Sequence, residues 1–270
     1  MRKIESESQF VWTQVLAILK FPFLLLLFLF RKKSLGDVMA PFVNVIRFLF
    51  EPKATVFLIG AVTCVFMYQL FFMPAQLFDR LVFKPDDIFS LNVLPVVASW
   101  FLHGSLTHFL GNMLFLFIFG RIVERRFGSF KMLLIYFGSA IISSFIAALA
   151  GQGGIGASGA IAGLVSTAIL ADPFYLTYFV FGIPIPVFIV GWLVIYADIT
   201  GILVPVQDNI GHFAHLGGYL AIAVIVFLLS TSERSKIWKG LLLNIAMLVV
   251  LLMAYYYGFD QKALITQGNL

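Results

Sequence analysis

Apolar residues run through this sequence in blocks about 20 residues long, separated by short polar connections, and that pattern leaves few folds open. An α-helix rises about 1.5 Å per residue, so each block is long enough to cross the roughly 30 Å hydrocarbon core of a bilayer. A helix also satisfies its backbone N–H and C=O groups internally, which lipid demands. The blocks predict spans at 54–74, 106–122, 132–150, 157–171, 183–200, 210–230 and 238–257. Only 11% of the 270 residues are charged and 61% are apolar, which is too little polar surface to coat a soluble globule. The expected fold is an all-α polytopic membrane protein, one compact bundle rather than two domains.

Charge placement gives the organisation. Residues 1–53 carry Arg2, Lys3, Lys20, Arg31, Lys32, Lys33, Arg47 and Lys53 among apolar stretches, a basic and partly amphipathic segment suited to the cytoplasmic leaflet. Residues 9–30 are also long enough to cross, with only Lys20 opposing it, so both placements stand. Arg121, Arg125, Arg126 and Lys131 form a second basic cluster, and Arg234, Lys236 and Lys239 a third. Together the three clusters hold 15 of the 18 Lys and Arg residues and are assigned to the cytoplasmic side of a prokaryotic cell membrane. A first span running outward from a cytoplasmic N-terminus places every cluster inside and Arg80, Lys84 and Lys262 outside. Residues 75–105 then form an external loop, containing Asp86 and Asp87, that is long enough to carry structure of its own. The expected division is an N-terminal segment at 1–53, a six-span core at 54–230, and a seventh span with a tail at 231–270. The net charge of +5 is accounted for by these topology signals, and no nucleic-acid partner is expected. Cys64 stands alone in an apolar run, so no disulfide framework or cysteine metal site can form within the chain; it is expected to pack inside.

The polar residues that carry chemistry sit inside this apolar frame. All four histidines lie in two short segments, His103 with His108 and His212 with His215. Ionisable groups are costly at membrane depth, so function is the default reading of such a cluster. On a helix beginning near Leu106, His108 and Asn112 project from one face and can both donate to a single oxygen. Residues 151–163 read GQGGIGASGAIAG, a glycine-rich entry that becomes a helix of small residues at Ser158. Gly159 with Gly163, and Ala214 with Gly218, are two small-xxx-small pairs that let backbones approach closely. If those faces meet, Ser158 and His215 come within hydrogen-bond reach, which is what a serine hydroxyl needs to become a nucleophile. Read alone, the glycine motif favours a plain packing seam with a satisfied serine.

Four segments, in chain order across most of residues 54–230, resemble the rhomboid family of intramembrane serine proteases. HGSLTHFLGN at 103–112 is similar to the family's second-span signature, whose second histidine and asparagine help to stabilise the oxyanion. GASG at 156–159 looks like the nucleophile motif, HFAHLGG at 212–218 like the sixth-span histidine motif, and Glu124 with Arg126 like the acidic-x-arginine pair after the second span. The resemblance implies a six-helix bundle with an additional C-terminal transmembrane helix. It further implies a serine endopeptidase acting on transmembrane protein substrates in the lipid bilayer, with no cofactor and no metal. Ser158 is then the nucleophile and His215 the general base and acid. Asn112, His108 and the Ser158 backbone N–H meet the oxyanion, His103 braces the loop, and Gly156 and Gly159 shape the serine motif. His212 is read as an entrance residue. Asp198 has no sequence signal linking it to the site, so a dyad without aspartate is expected.

Two positions depart from the family pattern. Leu94 and Pro95 stand where many members have a Trp-Arg pair, which bears on how the external loop is anchored. Ala162 stands where many have an aromatic residue supporting the histidine ring, so another group must hold His215, Tyr219 being one candidate. Hydrolysis also needs water, and a polar cavity open to the outer face, formed by the glycine-rich stretch and the external loop, supplies it. Substrate helices must unwind to expose a carbonyl, which favours helix-weak residues near the scissile bond. Two other readings remain: a rhomboid-like protein that binds transmembrane clients without cutting them, and a metal-binding transporter using the four histidines. Retention of Ser158, His215, His108 and Asn112 together disfavours the first. The second leaves GASG unexplained and finds no carboxylate accompanying the histidines.

Overall fold

The computed structural model describes residues 7–177, 183–204 and 210–266, which leaves Arg2 and Lys3 of the basic N-terminal set outside the described residues. Three helices, α1 (Glu7–Leu19), α2 (Phe21–Leu29) and α3 (Leu35–Phe50), precede α4 (Lys53–Phe71). The loop that follows carries α5 (Ala75–Leu81), α6 (Pro85–Phe89) and α7 (Val93–Ser99), and so has the structure of its own that its length predicts. Next come α8 (Leu106–Phe115), α9 (Arg121–Phe127), α10 (Ser129–Leu149) and α11 (Ser158–Ala171). A two-residue antiparallel pair, β1 (Leu176–Thr177) with β2 (Ile185–Pro186), leads into α12 (Val187–Leu203), α13 (His212–Ile225) and α14 (Thr231–Thr266).

Among the described residues, three helical stretches are long and apolar enough to cross a membrane: Lys53–Phe71, Leu106–Phe127 and Ser129–Leu149. The second joins α8 to α9 through a π-helical turn at Leu116–Gly120, and Gly128, at a φ of +84°, ends it. Helices α11, α12 and α13 are apolar but shorter, and α10, α11 and α13 pack on one another at the centre. α1 and α2 also pass as one crossing segment, bent by 51° at Lys20, and both fold back on α3. The Phe10 ring stacks on Phe48 at 3.9 Å, and Phe21 meets Phe42 edge-on. α3 itself starts with a capping box in which Ser34 and Asp37 satisfy each other's backbone N–H, and those hydrogen bonds hold the Asp37 carboxyl below its ordinary value.

Element ends shift where local chemistry intervenes. The fifth span was expected from 183, yet α12 begins at Val187, because Pro184 and Pro186 have no N–H to donate and Pro186 is extended at its N-cap. The last helix was expected from 238 but starts at Thr231. Glu233 reaches back to accept from both Ser230 N (2.9 Å) and Ser230 Oγ (2.7 Å), which satisfies a donor at the helix start. Cys64 is exposed on α4 rather than packed inside, since the buried face of that helix is carried by Leu58, Val62 and Phe66.

Buried polar contacts on one side of the bundle tie its helices together. Glu124 accepts from Ala54 N, Thr55 N, Thr55 Oγ1 and Ser129 Oγ at 2.7–2.9 Å, capping the free N–H groups at the start of α4 from a different helix. Arg126, its partner in the acidic-x-arginine pair, is exposed. Arg121 is buried, donates to Phe48 O at 2.7 Å and lies 3.5 Å above the Phe48 ring, so α3 is held against the core. Lys131 on α10 bridges both Glu233 oxygens at 2.7 and 2.8 Å. Further along α14, Asn244 accepts from Trp192 Nε1 and donates to Ile169 O, joining that helix to α12 and α11.

Candidate active site

Ser158 opens α11, directly after the glycine-rich segment, and that segment is held by the loop between α4 and α8. Gly156 N donates to Ser99 O at 2.8 Å, and Gly154 N to Phe83 O at 2.9 Å. A side chain on Gly153 would collide with the Phe83 carbonyl. Gly156 has a φ of +128°, and a Cβ there would sit 2.9 Å from His108 Nε2 and 3.7 Å from Ser158 Oγ. Only glycine both adopts that backbone and lets the His108 ring lie beside the serine. The absence of a Trp-Arg pair at Leu94 and Pro95 is offset by other anchors. Trp100 Nε1 donates to Ser144 Oγ at 3.0 Å, Pro95 is buried, and Leu91, Val93 and Leu94 present exposed apolar surface suited to lipid.

α8 supplies the second wall. Ser105 caps it by accepting from His108 N at 3.1 Å, which fixes where the helix begins. His108 and Asn112 share a face as their spacing predicts, and Asn112 Nδ2 donates to His108 O at 2.8 Å, leaving its second N–H for another acceptor. His103 is fully buried. Its backbone is clasped by Gln69, which accepts from His103 N and donates to His103 O, and its ring meets Phe66, Phe109 and His108 edge-on. The expected bracing of the loop therefore has a concrete partner in α4, one that the sequence alone did not single out.

The third wall is the seam between α11 and α13, where the small residues meet as their spacing predicts. A Cβ on Gly218 would strike Gly159 O, one on Gly163 would lie 3.3 Å from Gly218 O, and one on Gly159 would lie 3.5 Å from Ala214 O. Ser143 of α10 closes the same seam by donating to Ala214 O at 2.7 Å. Ala162 would be 2.8 Å from a Cβ at Gly218, so an aromatic ring at 162 has no space. Ser158 thus opens one side of the seam, and His215 lies in the first turn of the other. Among the described residues Ser158 Oγ makes no hydrogen bond, the looser geometry common at substrate-free sites.

What holds His215 corrects the expectation of a site without aspartate. His215 Nδ1 donates to Asp198 Oδ1 at 2.7 Å, His212 Nδ1 donates to the same oxygen at 2.8 Å, and Tyr219 Oη donates to Asp198 Oδ2 at 2.6 Å. A carboxylate only accepts, so all three partners must be donors. Tyr219 supports the histidine as one alternative had it, but through the carboxylate rather than by contact with the ring. His212 is buried, with its ring against Gly201, so it does more than mark the entrance of α13. Asp198, His212 and His215 also each offer one ligand atom, all within 4.8 Å of one another, so a carboxylate does accompany these histidines.

A rhomboid domain is matched over residues 90–232, just over half of the chain. The sequence is 29% identical over 180 residues to RHOMBOID-like protein 12, mitochondrial, of Arabidopsis thaliana, covering 59% of this chain and 53% of that protein. It is 27% identical over 173 residues to RHOMBOID-like protein 4 of the same plant, covering 57% and 42%. With RHOMBOID-like protein 6, mitochondrial, also of Arabidopsis thaliana, it shares 32% identity over 142 residues, 52% and 44% of the two chains. The chain spans about half the length of the curated relatives it matches. The domain match encloses His103, His108, Asn112, Ser158, Asp198 and His215, and this chain belongs to the rhomboid family.

Proposed function

We propose that the protein is an intramembrane serine endopeptidase that hydrolyses peptide bonds in or beside the transmembrane segments of client proteins. The observation that carries this reading is the hydrogen bond from His215 Nδ1 to Asp198 Oδ1, beside the helix start that bears Ser158. A neutral imidazole holding its proton at Nδ1 has its lone pair at Nε2. In the proposed mechanism Nε2 takes the Ser158 proton as Oγ attacks the scissile carbonyl. Asp198 stabilises the imidazolium, and the same proton then passes to the leaving amine. Water next gives its proton to His215 and attacks the acyl-enzyme, which releases the new carboxyl group and restores Ser158. The oxyanion is met by the Ser158 N–H, which as the first of α11 has no intrahelical acceptor, together with His108 and the second Asn112 N–H.

The length of α11 supports a site within the membrane. Its 14 residues rise about 21 Å against a hydrocarbon core of roughly 30 Å, so Ser158 lies below the surface when the helix starts from the opposite face. The non-helical backbone of 151–157 is then tolerated because Phe83 and Ser99 pair with it. Incubation of the purified protein with a serine-directed fluorophosphonate, followed by mass spectrometry, tests the reading. One adduct at Ser158 is expected, absent in Ser158→Ala and His215→Ala. No adduct, or one elsewhere, overturns it in favour of a client-binding protein that does not cut.

A further inference from the structure

We propose that Asp198, His212 and His215 form an inhibitory Zn2+ site that switches the proposed protease off by capturing its base. Two imidazole Nδ1 atoms and one carboxylate oxygen converge from two helices, a donor set suited to zinc, and three protein ligands leave the fourth position open. The Nδ1–Oδ1 separations are 2.8 Å for His212 and 2.7 Å for His215. Ligands about 2.0–2.1 Å from a tetrahedral ion stand roughly 3.3–3.4 Å apart, so each Nδ1–Oδ1 pair opens by about 0.6 Å to admit the metal, and the two Nδ1 atoms, within 4.8 Å of each other, adjust to the same spacing. Asp198 keeps its anchor during that change, because Tyr219 holds the other carboxylate oxygen. The side chains of His212, His215 and Asp198 retain 11%, 16% and 8% of their exposure, which gives an entry path. Gly201 is the backbone surface on which the His212 ring rests; any side chain there would strike the ring and displace the ligand.

Inhibition follows from the proton count. In the metal-free arrangement His215 carries its proton at Nδ1, directed at Asp198. Coordination needs the Nδ1 lone pair, so in the neutral His215 ring the proton moves from Nδ1 to Nε2. His215 Nε2 then has no lone pair with which to accept the Ser158 proton. His212 takes no part in the proposed chemistry, so the sequence carries a histidine whose place beside Asp198 the catalytic cycle does not require. Mg2+ and Ca2+, which prefer all-oxygen shells, are not expected to act here.

The regulatory half of this inference rests on the proposed serine mechanism, whereas metal binding does not, and the test separates them. Full-length protein without a polyhistidine tag is titrated with buffered Zn2+ as the Ser158→Ala variant, which cannot cut. One saturable site per chain is expected, weakened about tenfold or more by adding His212→Ala or Gly201→Ala. Cleavage of a model transmembrane substrate is then followed in wild type and His212→Ala, each normalised to its own zinc-free rate. Wild type is inhibited reversibly by Zn2+ and restored by chelator, and the His212→Ala inhibition curve moves at least about tenfold higher. Absence of saturable binding, or binding that ignores both substitutions, overturns the site. Binding without inhibition overturns the switch. A zinc-free wild type that does not cut overturns the serine-protease reading and the switch with it, while the binding titration still decides the metal site.

Discussion

Asp198 accepts two imidazole N–H groups on one oxygen and a phenol on the other, and that division sets what each neighbour contributes. If it orients His215 and stabilises the imidazolium, Asp198→Asn is expected to lower kcat by about 100- to 10,000-fold with little change in KM and with Tm nearly intact. An unchanged kcat in folded protein would make the aspartate a packing group. His212→Ala, which removes the other donor to the same oxygen, is expected to keep measurable cleavage. Asn112→Ala should lower turnover about 100- to 1000-fold while leaving apparent affinity near wild type, because the amide acts chiefly once charge develops on the oxyanion. Ser158, His215, His108 and Asn112 are proposed from their motifs, whereas Asp198 was not singled out, since it lies 17 residues before His215 with a connection between them. A signal was nevertheless present. Asp198 is five residues from the end of α12 and His215 three from the start of α13, so in antiparallel neighbours both lie about one to one and a half turns below the same connection.

The small-residue seam is where helices, rather than single groups, decide the geometry of the site. Gly159, Gly163, Ala214 and Gly218 were legible from their i, i+4 spacing, because close approach of two backbones needs small side chains at that interval. Ser143 and Gln69 were not, because a lone polar residue in an apolar span announces no partner; their hydrogen bonds to Ala214 O and the His103 backbone emerge only when the helices are placed. Helix ends were misjudged where capping chemistry outran hydropathy, as at Ser230 with Glu233 and at Pro186. Two glycine substitutions separate packing from propensity. A methyl at Gly218 strikes Gly159 O, so Gly218→Ala is expected to destabilise by about 1–3 kcal/mol, lower Tm and reduce cleavage through a displaced His215. Gly60 on α4 has nothing within 4 Å of the added carbon, so Gly60→Ala is expected to raise stability by about 1 kcal/mol with cleavage unchanged. Equal effects of the two on thermal unfolding would remove the seam as the element that positions the base.

For the molecule as a whole, the chemistry and the charge distribution constrain the same quantity, the side of the membrane from which water reaches Ser158. Fifteen of 18 Lys and Arg residues flank the connections assigned to the cytoplasm. Several of these are also structural: Arg121 holds α3, Arg125 pairs with Glu51, and Lys131 bridges Glu233, so the end of the bundle that bears them is built around charge. At the other end lie the loop helices α5–α7, the glycine-rich segment, Ser158, and the entrance of α13 with His212. If α4, α8 with α9, α10, α11, α12 and α13 each cross, as the hydropathy blocks predict, fixing the side of one connection fixes the rest. The native thiol must first be removed, because Cys64 is exposed on α4 and would label in its own right. In a Cys64→Ser background, cysteines introduced at Lys84 or Asp86 are expected to react with an impermeant thiol reagent applied to intact cells, whereas one at Gly128 is expected to react only after permeabilisation. Such labelling places the opening of the site outside the cell and requires substrates to present their scissile segment near the outer leaflet. The reverse pattern, in protein of normal abundance, would invert the whole bundle and with it the side on which cleavage products are released.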